Sequence, residues 1–218
     1  MTAELLEVTS FTLLMAALAT LVMLPPGLAL AWVLARRQFR GRSVLETLVS
    51  LPIVIPPVAT GLILLQLFGR RGPIGRILEP LGVEVVFTWK AVVIAMAVMG
   101  LPLFVRAARA AFEQVDQRYE SIAATLGARP WRVFWTVSVP LAWRGVVAGL
   151  VLGYSRAVGE FGATIMLAGS LPGTRTLSIA IYRDAELGND AAVMALIACS
   201  VAIGFVAVYG ANRAGMTP

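Results

Sequence analysis

The stretch that decides the fold is AARAAFEQVDQRYESIAATLGARPWRVFWTVSVPLAWRG, residues 107–145. Apolar residues recur at steps of three and four from Phe112 to Leu126, with charged and amide side chains between them, and this periodicity predicts an amphipathic helix. Gly127 suits the left-handed position just past a helix end, and Pro130 suits the first turn of a second short helix that the next proline ends. The stretch therefore predicts two amphipathic helices joined at a glycine corner.

Long apolar runs lie on both sides of this stretch. Of the 218 residues, 59% are hydrophobic and 14% are charged, whereas a soluble domain carries roughly a quarter charged residues. A bilayer core about 30 Å thick needs some 20 apolar residues in a helix. We therefore predict one all-α, polytopic membrane bundle over residues 1–218, with five or six spans. Five are assigned, at residues 11–35, 47–68, 90–106, 141–168 and 191–212, and residues 107–140 form a cytoplasmic loop.

The third and fourth spans carry charges that need an explanation. The third has only 15 uncharged residues between Lys90 and Arg106, about 22 Å of helix. It spans a bilayer only if both long side chains reach opposite interfaces. The fourth is long enough, but it holds Arg156 and Glu160 near its middle.

Basic residues favour one orientation of the bundle. With the N-terminus outside, the cytoplasmic segments hold 11 of the 18 basic residues and the outer segments hold 6. Because cytoplasmic loops are enriched in Lys and Arg, we predict an N-out, C-in topology. The first ten residues contain no base, so they lack the positive region of a signal peptide, and we expect the first helix to be retained as an anchor. The positive charge is then a determinant of topology, and we expect membrane lipid around the chain and no nucleic acid partner.

The sequence lacks residue types that most hydrolytic enzymes and metal sites use. The sequence has no His and a single Cys, Cys199, which removes the Ser-His arrangement, imidazole metal ligands and any disulfide within the chain. We therefore expect no catalytic residues and no metal site. No phosphate-binding GxxxxGK[ST] loop is present, so ATP-dependent work would need a partner that binds the nucleotide.

Arg156 and Glu160 are four residues apart and can meet on one helix face. Each charge would cost roughly 2.5 to 3.5 kcal/mol at the middle of a bilayer, so both should face the bundle interior. They form either a neutralised pair that holds the fourth span against a neighbour, or a site in which Arg156 offsets the charge of a passing anion. A third possibility is a gate at Gly159 and Gly162, where glycines let the backbone bend.

Prolines interrupt two of the predicted spans. Pro52, Pro56 and Pro57 break the second, and Pro25 and Pro26 break the first. Broken helices at membrane depth are tolerated only where protein or a water-filled cavity covers the freed carbonyl groups. These prolines are therefore expected inside the bundle, as packing kinks or as the lining of a path.

The cytoplasmic loop can lie on lipid headgroups, or it can dock a soluble partner. Its spacing resembles the loop of ABC importer permeases, which has Glu-Ala-Ala, three residues, Gly, nine residues, Ile, one residue and Leu-Pro. Here Ala123, Gly127 and Pro140 keep that spacing, with V-S-V before the proline, while Ser121 replaces the Glu and Glu120 stands one place earlier. The loop residues that the resemblance assigns to coupling with an ATPase are Glu120, Ala123, Gly127, Ala128 and Pro140.

Further strings resemble the molybdate permease family within this class. They fall in the family's order over most of the chain, namely LPIVIPPVATG (51–61), GRRGPIG (69–75), TLGARPWRVF (125–134) and GEFGAT (159–164). The resemblance implies a homodimeric permease in the bacterial inner membrane. It also implies a periplasmic oxyanion-binding protein that delivers the substrate, and cytoplasmic ATPase subunits that bind ATP and Mg²⁺.

Alternatives remain at the level of the sequence. Sulfate, thiosulfate and tungstate have the shape and charge of molybdate, so a permease for one of them is the nearest alternative. An intramembrane enzyme would need a carboxylate pair or a nucleophile and base in adjacent spans, and Glu160 is the one carboxylate in the middle of a predicted span. A passive channel would have similar spans but no need for the two-helix loop.

Overall fold

The computed structural model describes residues 2–213, and most of them are helical. No strand occurs in this part of the chain, as the prediction of an all-α bundle requires. A 3-10 turn, Glu79–Leu81, follows α4, and a π-helical segment, Phe134–Ser138, joins α7 to α8. The α-helices are Thr2–Arg36 (α1), Arg42–Val54 (α2), Pro57–Phe68 (α3), Gly75–Leu78 (α4), Trp89–Gln114 (α5), Gln117–Thr125 (α6), Pro130–Val133 (α7), Val139–Val158 (α8), Gly162–Ala168 (α9), Leu177–Glu186 (α10) and Asp190–Arg213 (α11).

Three helical runs among the described residues are long and apolar enough to cross a membrane, namely Glu4–Arg36, Trp89–Gln114 and Pro130–Val158. The pair α2 and α3 passes the same test together, although the chain bends by 114° between the two helices. In α11 the apolar stretch is the shorter segment Asp190–Val206. The structure therefore has three spans of sufficient length, or four if the bent pair is one span, and the count of five stays a prediction.

Helix α5 is longer than the predicted span at residues 90–106. It begins after Thr88, whose hydroxyl accepts a hydrogen bond from the Lys90 amide at 3.3 Å, and it continues to Gln114. The extension is rich in alanine, a strong helix former, and it is supported by an ion pair of 2.8 Å between Arg109 and Glu113. With 26 residues, α5 is about 39 Å long. Helix α5 therefore continues eight residues beyond residue 106, the predicted end of the third span, and the boundary between that span and the loop stays a prediction.

Helix α1 is continuous through Pro25 and Pro26, so the predicted break in the first span is wrong. Both prolines lie on the exposed side of α1, whereas Met23 and Gly27 lie on its buried side. A Cβ atom on Gly27 would come within 2.6 Å of the Phe104 ring. The close contact with α5 supports the helix where the prolines remove backbone hydrogen bonds.

Helix α5 is the centre of the bundle, with α1 and α8 packed against it. Thirteen of its residues are buried, from Ala91 to Phe112. Small residues allow the backbones to approach, because a Cβ atom on Gly100 would lie 2.8 Å from the Gly153 carbonyl oxygen of α8. The end of α1, the end of α5 and the start of α8 therefore lie at the same end of the molecule, together with α6 and α7.

Candidate functional site

The glycine corner of the loop has the predicted geometry. Helix α6 ends at Thr125, and Gly127 adopts a left-handed conformation with φ of 83°. The amide of Ala128 donates to the Ala123 carbonyl at 3.0 Å, and the amide of Gly127 donates to the Ala124 carbonyl at 3.0 Å. These two bonds satisfy carbonyl groups that a helix end leaves free.

The helix before this corner is shorter than predicted. Phe112 belongs to α5, and the chain bends at Val115 before α6 starts. The reason is Asp116, whose carboxylate accepts a hydrogen bond from the Arg118 amide at 2.9 Å and caps a new helix. The predicted helix from Phe112 to Leu126 is therefore two helices.

The helix after the corner does not end at Pro140, and that prediction is wrong. Helical structure runs from Pro130 to Val158, so Pro140 lies inside it, in the first turn of α8. Proline has no amide hydrogen and its ring clashes with the carbonyl four residues back. The π-helical segment ahead of it accommodates this by a wider register, in which the Val139 amide donates to the Phe134 carbonyl, five residues back.

Glu120 points toward the bundle rather than toward solvent. Its Oε1 atom accepts a hydrogen bond from Arg36 Nε at 3.0 Å and another from the Ser138 hydroxyl at 2.8 Å. Arg36 also donates to the Val115 carbonyl at 2.9 Å. Ser121, which stands where the family pattern has Glu, is exposed and donates to the Gln117 carbonyl at 3.0 Å.

Sequence reasoning named Glu120 but missed its two partners. In the sequence, Arg36 is one of several basic residues that indicate topology, and Ser138 stands between two valines. No periodicity links positions 36, 120 and 138, because they lie on α1, α6 and the π-helical segment. Only the tertiary packing of these elements brings the three side chains together.

Apolar side chains of the loop are left uncovered. Tyr119 and Ile122 of α6 are each 57% exposed, Leu126 is 83% exposed and Trp131 is 70% exposed. Phe134 is buried and anchors this group, because its ring lies 5.9 Å from that of Trp131 and 5.6 Å from that of Trp32. We call Tyr119, Ile122, Leu126 and Trp131 the loop surface. Contiguous exposed apolar side chains of this kind are typical of a surface that binds another protein.

The fourth predicted span, residues 141–168, is broken rather than continuous. Helix α8 ends at Val158, and α9 starts at Gly162 in a new direction, packed against α3. Glu160 is 1% exposed and its Oε2 atom lies 2.6 Å from Arg156 Nη1, while its Oε1 atom accepts a hydrogen bond from the Ala163 amide at 2.8 Å. The carboxylate thus pairs with α8 and caps α9, and the Arg156 side chain is 30% exposed.

The break in the second predicted span lies beside this one. Pro52 lies inside α2, so its prediction as a break is wrong, since the helix continues to Val54. The break falls at Pro56, and Pro57 begins α3. A Cβ atom on Gly162 would lie 2.8 Å from the Pro57 Cβ atom, so the starts of α3 and α9 are in contact.

Two broken helices in one helical bundle, together with an exposed two-helix loop at its end, define a membrane transport component. The chain belongs to the family of binding-protein-dependent transport system inner membrane components, whose profile matches residues 27–214. It is therefore a multi-pass inner membrane protein and not an enzyme, which excludes the intramembrane enzyme considered above. The resemblance to ABC importer permeases is confirmed.

The chain is also similar to individual proteins of this family. It is 42% identical over 200 residues to the molybdenum transport system permease protein ModB of Escherichia coli (strain K12). The matched region covers 90% of this chain and 87% of that protein. It is 46% identical over 161 residues to ModB of Haemophilus influenzae, which covers 73% and 70%. A probable sulfate transport system permease protein of Chlorokybus atmophyticus is 36% identical over 74% of this chain and 56% of that protein.

Solved structures share the fold at low sequence identity. The MetNI methionine ABC transporter in an inward facing conformation matches with a TM-score of 0.72 and 18% identity, over 98% of this chain and 96% of that chain. A bacterial alginate ABC transporter, in complex with a periplasmic protein that holds an alginate pentasaccharide, matches with a TM-score of 0.71 and 21% identity, over 94% and 76%.

Proposed function

We propose that this chain is the permease subunit of an ATP-driven importer that carries molybdate into the cytoplasm. The observation that carries the proposal is the 42% identity to the Escherichia coli molybdenum permease over 90% of this chain. The sulfate permease relative is more distant and matches 56% of its own length. Sulfate, thiosulfate and tungstate are the alternative substrates, because they share the tetrahedral shape and charge of molybdate.

Coupling to a cytoplasmic ATPase is supported by the loop surface. Helix α6 has no buried residue, and its apolar side chains face outward. Burying them in a groove of a partner would remove about 25 cal/mol of unfavourable free energy per Å² of apolar area. The ATPase binds ATP and Mg²⁺, and its closure moves α6 as a rigid lever. The coupling residues are those of the loop, Glu120, Ala123, Gly127, Ala128 and Pro140.

The topology and assembly complete the proposal. Residues 1–218 form a single membrane domain with five spans, N-out and C-in, and two copies form a dimer. The loop surface then faces the cytoplasm, and a periplasmic oxyanion-binding protein approaches the opposite end. A similar fold binds a periplasmic protein in the alginate transporter.

The two adjacent helix breaks are proposed as the boundary of the translocation path. Pro56 and Pro57 on one side and Gly159 to Gly162 on the other free backbone groups that a water-filled path can solvate. We assign Arg156 and Glu160 to structure, because the carboxylate both pairs with Arg156 and caps α9.

Reconstitution into liposomes tests the function. The permease is purified with its ATPase and supplied with the periplasmic oxyanion-binding protein, and molybdate uptake is measured by elemental analysis with and without excess sulfate. We expect ATP-dependent molybdate uptake that a hundredfold excess of sulfate leaves largely unchanged. Uptake that sulfate abolishes would identify a sulfate permease instead, and failure of the chain to co-purify with any ATPase would contradict the importer.

Docking is tested by a matched pair of leucines. Leu126 and Leu187 both cap the end of a helix, are 83% and 68% exposed, and precede a glycine of positive φ. Leu126→Ser should reduce co-purification of the ATPase, because Leu126 belongs to the loop surface, whereas Leu187→Ser should not. Equal retention of the ATPase by both variants would show that the loop surface is not the docking site.

A further inference from the structure

Three polar side chains from three elements meet beneath α6. Arg36 ends α1, Glu120 lies on α6, and Ser138 ends the π-helical segment before α8. One carboxylate oxygen, Glu120 Oε1, accepts hydrogen bonds from both Arg36 Nε at 3.0 Å and the Ser138 hydroxyl at 2.8 Å. We call these three residues the junction.

The junction is shielded from solvent. The side chain of Arg36 is 6% exposed, that of Glu120 is 17% exposed, and Ser138 is fully buried. Charge-assisted hydrogen bonds at a site of this kind are strong and fix geometry, because water cannot replace either partner.

Apolar packing cannot attach α6 to the bundle in the same way. None of its residues is buried, and its large apolar side chains, Tyr119 and Ile122, belong to the loop surface that a partner would cover. At both ends α6 joins the chain through non-helical residues, at Val115 and at Gly127. The junction therefore provides a polar connection between α6 and the interior of the bundle.

The wider helical register before Pro140 belongs to this arrangement. A π turn inserts one residue into a helix and rotates the residues before it relative to those after it. Ser138 lies at the end of that turn and donates its hydroxyl to Glu120. Pro140, the proline of the loop pattern, does not end a helix. It instead requires the π-helical register that places Ser138 against Glu120.

We propose that Arg36, Glu120 and Ser138 are positioning residues that pass a displacement of α6 directly to α1 and α8. This inference rests on the proposed function as an ATP-driven importer. In this proposal, tight coupling comes from the contacts that Glu120 makes within the permease. It does not come from contact between Glu120 and the ATPase. When the junction is intact, α6 cannot move without moving the ends of two membrane helices.

A second ion-pair network at the same end of the molecule provides the control. Arg109 lies 2.6 Å from Glu46 and 2.8 Å from Glu113, and these pairs join α2 to α5. The Arg109 side chain is 22% exposed, and those of Glu46 and Glu113 are 48% and 44% exposed, so this network is more exposed than the junction. None of its ion pairs involves α6, so Arg109→Gln removes charge pairing at this end of the molecule without changing the junction.

The test compares transport with ATP hydrolysis in liposomes. For Glu120→Gln, Ser138→Ala and Arg109→Gln, the number of ATP molecules hydrolysed per molybdate imported is measured with the bound ATPase. We expect this ratio to rise at least about fivefold in Glu120→Gln, the lower end of typical coupling between sites. A smaller rise is expected in Ser138→Ala, which keeps the ion pair, and no change in Arg109→Gln.

A second measurement does not depend on the substrate. In a Cys199→Ala background, spin labels at Gln38, beyond α1, and Gln117, on α6, report the distance between these elements in the assembled complex with and without ATP. We expect one narrow distribution in both states for the intact junction and a broad one for Glu120→Gln. Lack of molybdate uptake by the unaltered complex would contradict the proposed function alone, since the label distances still test the junction.

Two results would overturn the inference. The first is an unchanged ratio and an unchanged label distance in both junction variants. The second is loss of assembly in Glu120→Gln and Ser138→Ala but not in Arg109→Gln, because the junction would then serve folding and not coupling.

Discussion

Gly127 is required for its backbone conformation and not for space. Its φ of 83° lies in the left-handed region, and a Cβ atom added there would meet no heavy atom within 4 Å. The cost of a larger residue is therefore the strain of the backbone itself, about 1 to 2 kcal/mol for residues other than Gly and Asn. The turn sets the angle between α6 and α7, so strain there changes the shape of the loop.

We predict that Gly127→Val lowers uptake and retention of the ATPase while membrane insertion stays intact. A β-branched residue avoids the left-handed region and would redirect the chain into α7. Gly127→Asn is the control, because Asn tolerates this conformation, and it should retain most of the activity. The measurements are membrane content by immunoblot, co-purified ATPase and uptake. Normal values for the valine variant would show that the turn does not matter for docking.

The carboxylate of Glu160 makes two interactions, an ion pair and a helix cap. One oxygen atom pairs with Arg156 at 2.6 Å, and the other accepts the Ala163 amide at 2.8 Å. Because Glu160 is 1% exposed, removing Arg156 would leave a buried charge without its partner. Breaking a fully buried pair costs roughly 3 to 5 kcal/mol, and the 30% exposure of Arg156 reduces this to about 2 kcal/mol.

We predict that Arg156→Ala and Glu160→Ala each lower the folded yield, and that the double variant recovers part of the loss. Recovery should be incomplete because the Ala163 amide still lacks its acceptor. Arg156→Lys keeps the charge and should give nearly normal yield and uptake if only electrostatic balance matters. The yield is measured by size-exclusion chromatography in detergent. Additive losses in the double variant, or normal assembly of Arg156→Ala with lost transport, would favour a role in the anion path.

Helices α3 and α9 approach each other closely at Gly61. A Cβ atom on Gly61 would lie 2.7 Å from the Met166 Cβ atom and 2.8 Å from the Ala163 backbone. Backbone atoms cannot rotate away from such a contact, so the two helices would have to separate. This contact joins α3 and α9, the helices that follow the two breaks. Without it, the two breaks would not stay side by side.

We predict that Gly61→Ala destabilises the protein by about 1 to 3 kcal/mol through overpacking. Gly204→Ala on α11 is the matched control, because a Cβ atom there would meet nothing within 4 Å. That variant should be neutral or gain up to about 1 kcal/mol from helix propensity. Thermal unfolding in detergent should show a midpoint about 2 to 10 °C lower for Gly61→Ala. Equal midpoints for the two variants would contradict the close contact between α3 and α9.

Sequence patterns predicted elements where local chemistry decides the structure. The helical class, the left-handed glycine and the start of α7 at Pro130 follow from apolar composition and the preferences of two residue types. Patterns failed where packing overrides local preference. Pro25 and Pro26 should break α1, but the close contact of Gly27 with α5 keeps it continuous, and Pro140 changes the helical register without ending the helix.

At the scale of the whole molecule, the unusual feature is that residues of both helix breaks are exposed in a single chain. Pro56, Pro57 and Gly159 are exposed and lie near the middle of predicted spans, whereas Glu160 and Gly162 of the second break are buried. Lipid cannot donate or accept hydrogen bonds, so irregular backbone at that depth must be covered by protein or by a water-filled path. The sequence predicts that the prolines of the second span lie inside a bundle, whereas the fold of one chain leaves Pro56, Pro57 and Gly159 at its surface.

We therefore predict that the assembled transporter contains two copies of this chain, with the helix breaks between them. Co-expression of copies with two different affinity tags should recover both tags through either one, and native mass measurement should give two permease chains for each complex. Val58→Arg, at the exposed start of α3 beside the break, should weaken that association, because a charge at a buried interface must be desolvated. Ile77→Arg is the control, since Ile77 is 69% exposed and lies on α4, away from both breaks in the sequence. Recovery of a single tag only, or a mass for one permease chain in an active complex, would contradict the dimer and require another protein to cover the breaks.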